Sequence, residues 1–229
     1  MTPANEIKKL VGTKAVELVK QDMIVGIGTG STVYWFIEAL AEKLKEGLHC
    51  IGVPTSRQTK AQAEIHGIPL STLNDISQID IAIDGADEIA PDLTLLKGGG
   101  GALLQEKMVA AASKELVIIA DQSKLVSQLG AFALPVEVIP FGWKQVQARI
   151  IHAYNIEVRL RIKEDKPFVT DHGHYILDCF FQEIHDPVAL NRTLKNIPGL
   201  VEDGLFLNMA SMALIGMQDG TIQTLKRNK

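Results

Sequence analysis

Over the first 130 residues, short runs of apolar residues alternate with segments in which apolar residues recur every three or four positions. A continuous apolar run is typical of a strand buried on both faces, and the wider spacing is typical of an amphipathic helix. The predicted strands are residues 23–28, 50–53, 68–70, 79–83, 93–96 and 116–120. The predicted helices begin near Pro3, at Ser31, at Ser56 and at Leu103. This alternation predicts an α/β fold with a doubly wound, mostly parallel sheet.

The pattern changes after Gly130. The predicted strands there are residues 136–139, 157–161, 175–179 and 200–207, and the predicted helices are residues 143–153 and 187–196. Their order, β-α-β-β-α-β, is that of a ferredoxin-like unit. A final predicted hairpin follows once this unit is complete, so we expect the hairpin to return to the first sheet. The predicted domains are residues 1–130 plus 206–229, a catalytic α/β domain, and residues 131–205, a smaller ferredoxin-like α+β domain.

Composition narrows the class of protein. The 229 residues are 46% hydrophobic and 22% charged, as in globular proteins. The net charge of −4 and the lack of a Lys/Arg stripe argue against a surface that binds nucleic acid. No apolar run reaches the roughly 18 residues that a membrane span requires. Residues 1–6 lack a signal-peptide pattern. Cys50 and Cys179 lie in different predicted strands, so we expect reduced core thiols in a cytoplasmic protein.

Residues 26–32, between the first strand and its helix, combine glycines with hydroxyl side chains. Backbone amides and hydroxyls at a helix N-terminus bind phosphate well. A dinucleotide site is disfavoured because Val33 replaces the last glycine of that motif and the next strand ends without an acidic residue. A Walker loop is excluded because no Lys-Ser or Lys-Thr follows. A tight turn capped by Ser31 is the plainer alternative. The candidate phosphate ligands are Thr29, Gly30, Ser31 and Thr32.

An acidic turn, Asp-Gly-Ala-Asp-Glu, occupies residues 84–88 after an apolar strand. A solvated turn would explain it, and a magnesium site is a further alternative because paired carboxylates suit hard cations. The nearby Lys97 argues against a metal, because its ammonium would compete for the same carboxylates. The candidate residues of this turn are Asp84, Gly85, Ala86 and Asp87.

Four consecutive glycines, residues 98–101, lie between Lys97 and the helix that carries Glu106. Such a run costs backbone entropy and is tolerated best where the backbone must approach a ligand. Free amides there can stabilise an enolate-type oxyanion, and Glu106 can reach back towards the loop. An exposed helix glutamate paired with a lysine is the alternative for Glu106. Together, a carboxylate, a cation and bare amides at one sheet edge suit proton transfer on a small anionic substrate.

Three further features are ambiguous. Lys124 follows the strand 116–120 at the same predicted sheet edge and can reach a phosphate, although most loop lysines are solvated. Residues 171–174, Asp-His-Gly-His, contain metal-ligand types but lack a rigid frame, which favours a hairpin tip. Trp35 and Trp143 are predicted to lie in the core.

In this order, the motifs resemble ribose-5-phosphate isomerase of type A, and the resemblance runs nearly end to end. The segments that carry it are residues 28–32, 84–88, 97–101 with Glu106-Lys107, 121–124 and 134–140. The chain departs from the family pattern at Gln105, where Arg or a similar residue is common. It also departs at residues 208–212, where Arg-Gly-Ala-Asp is usual.

The resemblance implies interconversion of ribose 5-phosphate and ribulose 5-phosphate in the non-oxidative pentose phosphate pathway, with no metal and no organic cofactor. It also implies a homodimer or a homotetramer. We expect Glu106 to be the catalytic base, Lys97 to stabilise the enediolate and Asp84 to assist ring opening. The implied substrate contacts are Thr29, Gly30, Ser31, Thr32, Asp84, Gly85, Ala86, Asp87, Lys97, Gly98, Gly99, Gly100 and Lys124. A related sugar-phosphate or coenzyme A–linked enzyme and a non-catalytic sugar-phosphate sensor stay open as alternatives.

Overall fold

The structure, a computed structural model, describes residues 3–227; residues 1, 2, 228 and 229, at the ends of the predicted first domain, lie outside the described residues. The helices are α1 (Pro3–Val16), α2 (Ser31–Lys45), α3 (Arg57–Ile65), α4 (Leu103–Ala111), α5 (Trp143–Tyr154) and α6 (Pro187–Lys195). The strands are β1 (Met23–Ile27), β2 (Cys50–Pro54), β3 (Ile79–Asp84), β4 (Glu88–Ile89), β5 (Leu95–Leu96), β6 (Ser113–Asp121), β7 (Leu134–Val138), β8 (Glu157–Leu160), β9 (Ile162–Lys163), β10 (Lys166–Pro167), β11 (Tyr175–Phe180), β12 (Leu200–Asp203), β13 (Leu205–Phe206), β14 (Ala210–Gly216) and β15 (Ile222–Lys226).

The central sheet has six strands in the order β15-β14-β6-β3-β1-β2. Every neighbouring pair is parallel except β14 and β15, which form the terminal hairpin. Val117 and Ile119 of β6 pack in the core with α1 and α2, whereas Leu116 and Ile118 pack in the core with α4. The sheet is therefore covered on both faces, which confirms the predicted α/β fold and the return of the terminal hairpin.

A second, antiparallel sheet has the order β12-β7-β11-β8 and is built from residues 134–203. Helices α5 and α6 contribute Ile150, Leu190 and Leu194 to its core. The connectivity β7-α5-β8-β11-α6-β12 is the β-α-β-β-α-β order that the sequence predicts. The domain bounds at residues 131 and 205 stay a prediction.

The prediction of one continuous strand over residues 200–207 is wrong. The segment breaks at Gly204: β12 pairs with β7, whereas β13 pairs with β5 in a small third sheet. The Gly204 amide donates to Pro135 O, and its carbonyl accepts from the Lys97 amide. A Cβ at this position would lie 2.3 Å from Lys97 O, so only glycine fits where the two sheets meet. Gly204 thereby fixes the backbone at Lys97.

Other sequence expectations also fail locally. Residues 68–70 form no strand, and only a single bridge joins Leu70 to Gly52. The strand predicted from residue 93 is shortened to β5, because Leu93 has a φ of 63° and lies in a turn. Trp35 and Trp143 are half-buried rather than fully buried in the core, and Trp143 packs against the core of the second sheet. Among the described residues, no helix combines the length and the apolar character that crossing a bilayer requires.

Candidate active site

The loops that follow β1, β3 and β6 meet at the carboxyl edge of the central sheet and enclose a cleft of about 160 Å³. Open α/β sheets bind ligands at this edge. Every candidate site residue from the sequence lines the cleft except Asp84. Asp84 lies behind the lining and contacts three residues that belong to it, Thr29, Gly85 and Lys97. The structure therefore brings the separate motifs together.

Lys97 is buried between two buried carboxylates. Its Nζ lies 3.1 Å from Asp84 Oδ2 and 3.3 Å from Glu106 Oε1, and it donates to Gly85 O at 2.6 Å. All three charged residues are at most 5% exposed. Charges this deeply buried are tolerated only when they are paired. The ammonium also fills the space that a metal ion would need between the two carboxylates.

Glycine at position 28 allows Asp84 to reach this place. Gly28 follows β1 and donates to Ile83 O in β3, and a Cβ on Gly28 would lie 2.1 Å from Asp84 Oδ1. That oxygen instead accepts from the amides of Thr29 at 3.1 Å and Gly85 at 2.7 Å. Both oxygens of Asp84 are thus held by protein groups, and its carboxylate has a fixed orientation.

Burial sets the electrostatics of the three charged groups. Burial first, and the Asp84 carboxylate second, raise the pKa of Glu106 to about 8, although Lys97 acts in the opposite direction. Burial also raises the pKa of Asp84, against the effect of Lys97. For Lys97, burial lowers the pKa, but the two carboxylates outweigh it and the ammonium stays charged. A carboxyl group with a pKa near neutral pH can both accept and return a proton.

One oxygen of Glu106 faces no protein partner. Oε1 lies against Lys97, while Oε2 is buried without a hydrogen bond from any described residue. Glu106 lies in the first turn of α4 and lines the cleft, so the helix start directs its carboxylate there. A buried polar atom without a partner costs free energy and calls for a functional explanation.

The glycine run is only partly available to a ligand, contrary to the expectation of four free amides. The Gly99 amide donates to Asp87 Oδ2 at 2.8 Å, and the Gly101 amide donates to Gly98 O at 3.0 Å in a turn. Among the described residues, the amides of Gly98 and Gly100 have no protein acceptor. These two amides, with the Lys97 ammonium, remain as donors to an oxyanion.

The start of α2 also lines the cleft. Its N-cap residue is Gly30, with no side-chain cap, so the alternative of a capping Ser31 is wrong. Ser31 Oγ accepts instead from Lys8 Nζ at 2.9 Å. Lys124 lines the same cleft from a 3₁₀ turn that follows β6. Two ammonium groups and an uncapped helix N-terminus in one cleft favour an anion.

Thr29 has a structural role besides its place in the lining. Its Oγ1 lies within 3.1 Å of the hydroxyl oxygens of Thr55, Ser56 and Thr59. Thr59 Oγ1 in turn donates to Gly28 O at 2.7 Å. This buried hydroxyl cluster fixes the loop after β1 to the start of α3.

Sequence reasoning missed four lining residues. They are Lys8, Ile119, Ala120 and Asp121. Nothing in the helical spacing distinguishes Lys8 from its neighbour Lys9, because its place in the cleft depends on how α1 packs beside α2. Asp121 belongs to the segment 121–124 that carries the family resemblance and ends β6 at the cleft edge, but the resemblance implies a substrate contact in that segment only for Lys124.

Other candidate chemistry lies away from the cleft. Residues 171–174 form a turn before β11, where Asp171 Oδ2 accepts from the Arg57 amide at 2.7 Å. Over residues 3–227, no three His, Cys, Asp or Glu side chains are grouped so as to hold a metal ion. Cys50 and Cys179 are free, buried thiols in separate sheets.

Comparison with known proteins identifies the family. The family described as ribose 5-phosphate isomerase A (phosphoriboisomerase A) matches residues 51–220. This chain belongs to that family. The ribose-5-phosphate isomerase A of Bacillus mycoides strain KBAB4 is 52% identical over 215 residues, which cover 93% of this chain and 97% of that protein. That of Gloeobacter violaceus is 51% identical over 221 residues, covering 96% and 95%.

Solved structures of ribose 5-phosphate isomerases show the same fold. The Plasmodium falciparum enzyme has a TM-score of 0.96 at 41% identity, covering 98% of this chain and 100% of that one. A D-ribose-5-phosphate isomerase in complex with phospho-erythronic acid has a TM-score of 0.94 at 38% identity, covering 98% and 99%. The ribose 5-phosphate isomerase A family interconverts ribose 5-phosphate and ribulose 5-phosphate, so this chain is an isomerase.

The two departures from the family pattern lie outside the cleft lining. Gln105 Nε2 donates to Pro54 O at 3.0 Å and so links α4 to the end of β2. Residues 208–212 lead into β14, with Asn208 in the left-handed region at a φ of 58°.

Proposed function

We propose that this chain interconverts D-ribose 5-phosphate and D-ribulose 5-phosphate through an enediolate, with Glu106 as the base. The observation that carries the proposal is Glu106 Oε2, a buried carboxylate oxygen without a protein partner on a residue that lines the cleft. Its pKa of about 8 suits a group that must take up a proton and return it within one turnover.

The proposed reaction needs one carboxylate and two kinds of donor. Glu106 takes the proton from C2 of the open-chain aldose, and the electron pair moves onto O1 to give the enediolate. The Lys97 ammonium and the free amides of Gly98 and Gly100 stabilise the negative charge. Glu106 then returns the proton to C1, the O2 proton passes to O1, and the ketose forms. Asp87 binds sugar hydroxyls, and Asp84 assists ring opening by positioning Lys97.

The phosphate occupies the other end of the cleft in this proposal. Amides at the start of α2 and the hydroxyls of Ser31 and Thr32 donate hydrogen bonds to the phosphate, and Lys124 and Lys8 neutralise its charge. Phospho-erythronic acid, the ligand of one similar enzyme, is expected to bind here because it combines a phosphate with a carboxylate at the position of the enediolate.

The assembly and the location are also proposals. We propose a homodimer or homotetramer in the cytoplasm; family resemblance supports the assembly, and two unpaired buried thiols agree with a reducing compartment. Light scattering of the purified protein tests the assembly, and a monomer at micromolar concentration would contradict it.

We expect isomerisation to be independent of metal ions, because the Lys97 ammonium occupies the space between Asp84 and Glu106. The purified protein is treated exhaustively with chelator and incubated with ribose 5-phosphate, and ketose formation is measured. Untreated protein is the control. A loss of activity that added magnesium or zinc restores would contradict this prediction.

Lys124→Ala is expected to raise KM for ribose 5-phosphate by about tenfold or more while kcat changes little. The ammonium binds the phosphate equally in substrate and transition state, and removal of such uniform binding raises KM. Lys114→Ala, which removes an exposed lysine paired with Asp80 outside the cleft, is the matched control. A collapse of kcat at constant KM would show that Lys124 takes part in the chemistry.

A further inference from the structure

Arg161 contacts the glycine run from outside the cleft lining. Its Nη1 donates to Gly98 O at 2.8 Å and to Gly99 O at 3.1 Å. Arg161 follows β8 in the smaller sheet and does not line the cleft. It therefore reaches the cleft only through the backbone that it holds.

The guanidinium is itself held in place. Asp178 accepts from Arg161 Nε at 3.0 Å and from Nη2 at 2.5 Å, and the two side chains are 15% and 20% exposed. A two-point Arg–carboxylate pair fixes the plane of the guanidinium as well as its position. The Arg161 backbone is fixed too, since its amide donates to Ile176 O and its carbonyl accepts from the Phe168 amide, both at 2.8 Å.

The planarity of the peptide bond transmits this contact to the cleft. Within residues 3–227 no peptide is cis, and in a trans peptide the C=O and N–H groups point in opposite directions. A guanidinium that binds the carbonyls of Gly98 and Gly99 therefore turns the amides of Gly99 and Gly100 away from itself. The Gly99 amide accordingly donates to Asp87, a residue that lines the cleft. Among the described residues, no group accepts a hydrogen bond from the Gly100 amide.

Phe168 also packs against the glycine run, at Gly101. Gly101 has a φ of 80°, and a Cβ there would lie 2.4 Å from the Phe168 ring. Further along the segment, Thr170 Oγ1 donates to buried Glu137 at 2.9 Å. The segment from Arg161 to Thr170 is thus anchored at both ends, and two of its residues, Arg161 and Phe168, lie against the run.

We propose that Arg161, held by Asp178, is a positioning residue for isomerisation: it sets the two peptide units so that the Gly99 amide holds Asp87 and the Gly100 amide faces the developing enediolate. The proposal rests on the proposed function, because it assigns the Gly100 amide to that reaction. Four glycines have little conformational preference of their own. Besides the Gly99–Asp87 contact and the turn between Gly98 and Gly101, the Arg161 guanidinium is a further contact that restricts the orientation of the run.

The test compares Arg161→Met with Arg159→Met. Arg159 lies two residues away on β8, is exposed, pairs with Glu157, lies over the Phe180 ring and does not line the cleft, so it is a matched control. For Arg161→Met we expect kcat to fall about tenfold to a hundredfold. This is less than the 10²–10³-fold cost of removing an oxyanion donor, because the amides remain but lose their orientation. KM should change by less than about threefold, because the phosphate end is untouched.

The affinity for phospho-erythronic acid distinguishes a positioning role from a purely structural one. A general loss of structure would weaken the binding of inorganic phosphate as well. The affinity of phospho-erythronic acid for Arg161→Met should fall by about the same factor as kcat, while affinity for inorganic phosphate stays at the wild-type value. A folded Arg161→Met with kcat within twofold of wild type would overturn the proposal, as would a loss of kcat with unchanged affinity for phospho-erythronic acid.

Asp178→Asn keeps the proposal testable if Arg161→Met does not fold. It retains the shape of the partner but removes its charge, so we expect smaller losses of kcat and phospho-erythronic acid affinity in the same ratio. Wild-type values of both would overturn the proposal. A wild-type protein that does not isomerise ribose 5-phosphate would contradict the proposed function instead, and the affinity measurements would still test Arg161.

Discussion

Glu106→Gln is expected to lower kcat by about 10²–10⁴-fold, the usual cost of losing a general base. The amide keeps the size and polarity of the side chain but cannot accept the C2 proton. KM for ribose 5-phosphate should stay close to the wild-type value, because Glu106 lies in α4 and the proposed phosphate ligands lie at the start of α2 and after β6. Steady-state kinetics of the two proteins measure both constants.

The control for Glu106→Gln is Glu88→Gln. Glu88 is also a buried carboxylate, 3% exposed, but it accepts from the amides of Gly130 and Phe132 and does not line the cleft. Its replacement should lower the thermal midpoint and leave kcat nearly unchanged. Near-normal turnover by Glu106→Gln would move the base elsewhere, with Asp84 or Asp87 as the next candidates.

Isomerisation in deuterated water is a second test of whether the Glu106 carboxylate carries the proton. A single base that carries the proton between C2 and C1 can exchange it with solvent during the lifetime of the enediolate. We therefore expect partial deuterium incorporation at the carbon that receives the proton. Because a shielded proton can transfer directly, the rate of Glu106→Gln decides the assignment.

The sequence predicts the parts of the site that depend on local pattern. Buried parallel strands are continuous apolar runs, and their carboxyl ends locate the acidic turn and the glycine run at one edge. Gly28 and Asp84 come together because β1 and β3 are adjacent in the sheet, and the motif order already indicates this edge. The expectation that a lysine would lie among these carboxylates agrees with the observed position of Lys97.

Features that depend on distant packing could not be predicted in the same way. Lys8 enters the cleft because α1 packs beside α2, and Arg161 reaches the glycine run from a different sheet, 63 positions away from Gly98. The break at Gly204 arises because two sheets meet there at Lys97. Periodicity reports which face of an element is buried, but it does not report which neighbour covers that face.

Lys97→Met is expected to change both the rate and its pH dependence. Loss of the buried cation removes a donor to the enediolate, and removal of one oxyanion-hole donor costs on the order of 10²–10³-fold in kcat. In the wild-type protein, kcat/KM should fall as the pH falls through the pKa of Glu106, about 8, because the base must be ionised. Lys97 lowers that pKa, so its removal raises the pKa further and moves the acid limb to higher pH. The activity deficit of Lys97→Met should therefore be larger at pH 7 than at pH 9.

Lys107→Met is the matched control for this shift. Lys107 is also a largely buried lysine, 14% exposed at the side chain, paired with Glu202 at 2.7 Å and stacked near the same Phe206 ring as Lys97. Breaking a buried pair is destabilising by about 3–5 kcal/mol, so both variants should have lowered thermal midpoints and are assayed well below them. Only Lys97→Met should shift the acid limb of kcat/KM, because only Lys97 contacts Glu106. If Lys97→Met did not shift that limb, the pKa of the base would not depend on the Lys97 ammonium, and the proposed role of Lys97 in setting the charge of the site would be wrong. An equal shift in Lys107→Met would contradict the assignment of the shift to the contact between Lys97 and Glu106.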